Sequence, residues 1–199
     1  MKRGLLAAAA AVVALIYAGR LGLRARPSPF PPFGGSGREP KTGPLPSNLP
    51  PPVERFYRRL YGGRLPVLRS AVVTGRARMR LGGITVPARF RFTHDAGRGY
   101  RHYIEATLFG LPLMKVNETY LGGRARLELP LCVTEGEPKV DQGANLALWA
   151  ESAFWLPALL VTDPRVRWES MEESVARLVV PFGEGEDVFL ARFDAGTAY

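Results

Sequence analysis

Residues 141–160, DQGANLALWAESAFWLPALL, constrain the fold more than any other stretch of this chain. The run predicts one helix, opened by Asp141 as an N-cap and stopped at Pro157, which cannot continue it. Leu146, Trp149, Ala150 and Ala153 recur at helical spacing on one face, and Leu148 and Trp155 make a second apolar face. A helix apolar nearly all round must be covered on most sides. Asn145 and Glu151 inside it make a poor membrane span, so it is expected at the centre of a folded domain.

The cover is legible upstream, where the period changes from 3.6 to two. Val73, Ala77, Met79 and Leu81 alternate with Thr74, Arg76, Arg78 and Arg80. After Gly82-Gly83, Ile84, Val86, Ala88, Phe90 and Phe92 alternate with Thr85, Pro87, Arg89, Arg91 and Thr93. This is a hairpin with an apolar inner face and an arginine outer face. Asp95-Ala96-Gly97, Gly110 and Gly122-Gly123 turn the chain into three more strands, the last over 124–133, and three further strands follow the helix. The expected fold class is α+β: a long curved antiparallel meander, half-barrel-like, packed on a central helix. A short amphipathic helix over Val53, Phe56, Tyr57 and Leu60 precedes it, and Gly62-Gly63 stop that helix.

Ahead of this domain the composition shifts twice. Gly4–Gly19 carries no charge and is flanked by Lys2, Arg3 and Arg20; at about 1.5 Å rise per residue it approaches a bilayer core if Leu21 and Leu23 are included. Tyr17 and Ile16 spoil the small-residue pattern a signal peptidase needs. Residues 1–26 are therefore expected to be an uncleaved anchor, embedded through 4–23, making the protein single-pass with its domain outside the cytoplasm. Residues 27–52 hold ten prolines, so 27–50 reads as a semi-rigid linker and 51–199 as a single domain.

The net charge of +9 suggests nucleic acid until it is divided by position. Residues 1–52 hold seven Lys/Arg against one acid, leaving only +3 for the rest. No nucleic-acid partner is expected. Within the domain, 53–101 holds twelve Arg and two acids, which leaves either internal neutralisation or an anionic surface contact through Arg76, Arg78, Arg80, Arg89 and Arg91. The single Cys132 lies in an apolar run and is expected to be a buried thiol.

Asp141-Gln142-Gly143, Trp149-Ala150-Glu151, Trp155 with Pro157, TDPRVRWE at 162–169 and Val180-Pro181-Phe182-Gly183 together resemble a bacterial membrane-anchored family catalogued as a domain of unknown function. The resemblance implies no activity. Similar proteins continue further with strand-forming sequence, so a shortened C-terminus is expected beyond the Asp194-Ala195-Gly196 turn.

Glu151 is the leading candidate for chemistry, since a carboxylate on a covered helix face needs a partner or a raised pKa. The expected reading is an ion pair with an arginine such as Arg165 or Arg167, or a hydrogen bond to backbone; the alternative is a functional carboxylate in a pocket. His94 and His102 are the only histidines, and His102 shares a strand face with Tyr100 and Ile104. No HExxH, CxxC or paired His/Cys pattern occurs, so neither a metal nor a cofactor is expected. The function that fits best is binding of an apolar or lipid-like ligand in a curved-sheet cavity lined by Glu151, Trp155, Trp149, His102, Phe90 and Phe92. The alternatives are a carboxylate-dependent enzyme using Glu151 with His102 or Asp141, and a structural or interaction domain without a pocket. Enzymatic activity is not the favoured reading.

Overall fold

The structure is a computed structural model that describes residues 2–34 and 39–194. An N-terminal helix, α1 (Lys2–Arg24), leads through the proline-rich segment to a short strand, β1 (Thr42–Pro44). Next come α2 (Pro51–Tyr61) and β2 (Arg64–Pro66), which pairs antiparallel with β1. A meander of six strands follows: β3 (Ser70–Leu81), β4 (Ile84–Asp95), β5 (Gly99–Leu108), β6 (Leu111–Leu121), β7 (Arg124–Leu129) and β8 (Cys132–Glu135), hydrogen-bonded in that order. The last expected strand is thus two, because Pro130 and Leu131 form a tight turn where proline cannot extend the ladder. Cys132 opens β8 and is exposed, not buried as its apolar neighbours suggested.

Helix α3 (Pro138–Trp155) begins one turn earlier than expected, with Pro138 at its first position. Asp141 does not cap it; its carboxylate accepts the Ala125 backbone N–H at 2.6 Å. The helix ends at Trp155, ahead of Pro157, and a single turn, α4 (Leu159–Thr162), completes the bend. Strands β9 (Arg167–Glu172), β10 (Val175–Phe182) and β11 (Gly185–Arg192) then form a sheet of their own, in the order β11-β10-β9.

The expected half-barrel wrapped around one helix is therefore corrected to two sheets with α3 between them. Ala144 and Leu148 pack on Tyr100, Tyr120 and Ala125 of the six-stranded sheet, while Trp149 packs with Leu160, Leu178 and Val180 on the side of the three-stranded one. The bend at 156–162 carries the chain across α3, so β9 pairs with β10 and not with β8. Helix α2 closes the far side through Val53 and Tyr57 against Ala158 and Ala176.

The arginine stripe lies on the outer face as patterned, with Arg76 opposite Arg89 and Thr74 opposite Arg91. It is not bare. Arg76 Nε donates to the Pro27 carbonyl at 2.7 Å, and the Phe30 ring lies under both Arg89 and Arg91, 4.5 and 5.1 Å from their guanidinium carbons. Arg89 is also paired with Glu105 at 2.6 Å. The start of the linker is thus packed along the sheet, and Arg78 and Arg80 stay exposed. Among the described residues, no helix is long and apolar enough to cross a membrane.

Candidate functional site

The site is built from one hairpin and one helix. The turn between β4 and β5 sets Phe92 opposite His102 and His94 opposite Tyr100. Alternation then puts Phe90, Phe92 and His94, with Tyr100, His102 and Ile104, on the sheet face that α3 covers. His94 and His102 are diagonal neighbours across the two strands, and their Nε2 atoms lie 3.4 Å apart. On α3, Glu151 follows Leu148 by three residues and precedes Trp155 by four, so it shares the covered stripe. Its Oε2 lies 3.0 Å from His102 Nε2 and 3.3 Å from His94 Nε2.

The histidines are buried, at 0% and 7% exposure, whereas the Glu151 side chain retains 32%. Tyr100 and Phe92 stack on the His102 ring at centroid distances of 4.2 and 4.1 Å, and Trp155 lies 6.5 Å from His94. Burial pushes the Tyr100 hydroxyl far above its usual range, and its hydrogen bond to Glu118 adds to that. For Glu151, burial alone pushes the carboxyl up, but the facing His102 and His94 rings outweigh it and hold the group at about 2. Although both rings are close, the Oε2 atom is fully buried and makes no hydrogen bond of good angular geometry. His94 Nδ1 is likewise buried without a partner.

Three donor atoms thus face one another at 3.0–3.4 Å around a common point. A tetrahedral zinc site with bonds of about 2.0–2.1 Å has ligand–ligand edges of about 3.3 Å. The three atoms match three corners of such a tetrahedron. Two imidazoles and one carboxylate are also a set used by iron and other first-row ions. Chemically, the cluster is suited to holding one small divalent ion, or to passing a proton between a carboxylate and an imidazole.

Of the residues named from sequence, Glu151, His102, Trp155 and Phe92 come together here, and Phe90 stacks beside Phe92 at 4.7 Å. Trp149 does not join them; it is 1% exposed on the opposite side of α3, beneath the Arg165 guanidinium. Trp155 is half-buried and not enclosed. Arg165 pairs with Asp163 and Arg167 with Glu186, so neither partners Glu151. Asp141 lies ten residues earlier, about 15 Å along the helix, bound to the Ala125 backbone. His94 was not foreseen as a site residue, and the two histidines are a spatial pair that no linear motif announces. The signal lay in the tight turn, which fixes His94 two rungs from His102.

An α+β domain with a helix between two antiparallel sheets, and a His–His–Glu cluster at the sheet–helix junction, is the class these features define. Within that class the chain belongs to DUF6544, a family of unknown function whose model matches residues 39–198. No curated protein and no solved structure matches it.

Proposed function

We propose that this protein is a membrane-associated metal-binding domain in which His94, His102 and Glu151 hold one divalent first-row transition ion. The observation that carries the reading is the triangle of donor atoms with 3.0–3.4 Å sides, closed by a buried carboxylate oxygen. Three protein ligands leave a fourth position open, the arrangement of catalytic and not of closed structural sites. Glu151 is the partly exposed member of the three, although its Oε2 atom is itself buried. Association with a bilayer is assigned to α1, whose apolar side chains are largely solvent-exposed, among them Leu15 at 72% and Tyr17 at 65%.

The test is metal content and affinity of the full chain purified in detergent. One equivalent of zinc, manganese or iron by mass spectrometry of the metal, or one-site binding of zinc by calorimetry, is expected. His94→Gln and His102→Gln should abolish it. A folded chain that takes up none of these ions overturns the proposal.

A second reading is favoured by one specific observation on the other face. A cavity of about 520 Å³ is lined by Phe33, Val72, Arg91, Arg101 and Tyr103, and Arg91 Nε is buried there without a hydrogen bond. Phe33, Val72 and Tyr103 beside the Arg91 and Arg101 guanidiniums suit an amphipathic, lipid-like molecule with an anionic group. Native mass spectrometry of the detergent-extracted chain should then show a co-purifying lipid that Arg91→Ala loses.

A further inference from the structure

In an antiparallel meander alternate turns lie at the same end of the sheet. The β3–β4, β5–β6 and β7–β8 turns therefore share one end, and the β4–β5 and β6–β7 turns the other. The two ends differ in chemistry. The second end reads DAGRG at 95–99 and LGGR at 121–124, with the glycine, aspartate and arginine usual where a turn meets water. The first reads LGGI at 81–84, LFGL at 108–111 and LPLC at 129–132.

The apolar residues of the first end are not folded inward. Ile84, Phe109, Leu111, Leu113 and Leu131 are all more than half exposed, Leu131 at 99%, and Leu129 is exposed as well. Scattered exposed apolar residues are ordinary, but Ile84, Phe109, Leu111 and Leu113 at two level, neighbouring turns form a patch, while Leu129 and Pro130 lie back along β6 beside Lys115 and Asn117. Phe109 also departs from local preference. It sits at φ 53 ahead of Gly110 at φ 78, positions where a two-residue hairpin turn favours Asn-Gly and a bulky residue is disfavoured.

Helix α1 reaches the sheet at this same end. The Phe109 N–H donates to the Gly22 carbonyl at 3.0 Å, and a Cβ at Gly22 would lie 2.7 Å from Leu108 Cδ1 and 2.8 Å from the Phe109 ring. Absence of a side chain at Gly22 is what lets the helix end touch the turn. The exposed apolar surface of α1 thus runs into the exposed apolar turns. Around the junction stand Arg24, Arg26, Arg78 and Arg80, all exposed. An apolar tip flanked on its outer side by cations has the charge and polarity profile of a lipid interface, with acyl chains at the tip and anionic headgroups beside it.

From this we infer that the turn end of the six-stranded sheet nearest α1 is a bilayer-docking rim, in which Ile84, Phe109, Leu111 and Leu113 dip into the interfacial layer and Arg24, Arg26, Arg78 and Arg80 contact headgroups. This rests on the membrane association of α1 proposed above and extends it by fixing how the domain stands. The strands meet the membrane end-on, and the β4–β5 turn next to His94 points away from it.

The single Cys132 lies back from the rim, so it is replaced by serine and the label is placed at Leu111→Cys, in the β5–β6 turn. The full chain is labelled there with an environment-sensitive fluorophore and reconstituted into vesicles of phosphatidylcholine and phosphatidylglycerol. The control carries the label at the other end, as Leu121→Cys in the same Cys132→Ser background. Lipid-borne nitroxide is expected to quench the Leu111→Cys label strongly and the Leu121→Cys label weakly, with aqueous iodide showing the reverse order. Ile84→Asp with Leu113→Asp should raise iodide quenching at the Leu111→Cys label while the chain still floats with the vesicles. A chain that floats but shows the same quenching at both ends overturns the rim alone. A chain that does not float overturns the membrane reading, and the rim with it.

Discussion

Replacing His94 by glutamine tests the site with the least collateral damage. The position is completely buried, so alanine would leave a cavity of its own, whereas glutamine keeps most of the volume and a polar end. The measured quantity is the zinc-induced change in thermal midpoint of the full chain in detergent. A ligand that binds only the folded state stabilises it by about 2.7 kcal/mol at a hundredfold excess over its dissociation constant. For a chain of this size each kcal/mol moves the midpoint by about 2–4 °C. With three donors at 3.0–3.4 Å the native chain is expected to gain roughly 5–10 °C at such an excess. His94→Gln should keep its metal-free midpoint close to that of the native chain and lose the zinc-dependent part. An equal gain in native chain and variant would place the binding elsewhere. No gain in either would refute the inference from donor spacing to coordination.

The tryptophans of α3 should separate by burial. Trp149→Ala is expected to cost about 3–5 kcal/mol and the half-exposed Trp155→Ala under about 2 kcal/mol, read as urea-denaturation free energies; equal costs would contradict the two-sided placement of the helix. Glu105 carries a pH signature. Burial pushes its carboxyl up, but hydrogen bonds from Tyr103 and Arg89 more than offset this and hold it below its ordinary value. A carboxyl lowered on folding stabilises the native state above the usual carboxylate range, and that contribution fades as the pH falls through it. Glu105→Gln should therefore lower the urea midpoint at neutral pH and matter less near about pH 3.5; a difference independent of pH would show that the Arg89 pair adds nothing.

How much of this was legible depends on the range of the interaction. The hairpin of β3 and β4, the inward alternation of Phe90 and Phe92 and the arginine face follow from period two, which is local. The placement of Glu151 on a covered helix face was also readable, because it shares a stripe with Leu148 and Trp155. What the sequence withheld is non-local. Whether β9 would join β8 or start a second sheet depends on the direction in which the bend at 156–162 sends the chain, and no periodicity encodes that. Cys132 looked buried because its neighbours are apolar, but Pro130 makes them a turn. His94 was readable in principle from the turn register, yet its nearness to Glu151 depends on where α3 crosses the sheet.

That crossing is fixed by polar groups. Asn145 accepts from the Tyr120 hydroxyl at 3.1 Å on the six-stranded sheet, and donates to Asp187 at 2.9 Å and to the Pro181 carbonyl at 3.0 Å on the three-stranded one. Gln142 adds a bond to Asp187 at 2.7 Å, so a buried carboxylate is held by two amides. Leu148 and Trp149 would tolerate a small rotation of α3, since apolar packing is not directional. The amide bonds do not, because any rotation leaves buried partners unsatisfied at about 1–3 kcal/mol each. At the other end, Arg165 donates to the Gly97 carbonyl in the β4–β5 turn at 3.1 Å and lies over Trp149, tying that turn to the helix. A slip of one residue turns the helix by about 100°, enough to swing Glu151 off the histidines. The Asp-Gln-Gly and Thr-Asp-Pro-Arg signatures are thus a frame, and what the frame holds in register is a single carboxylate over two imidazoles.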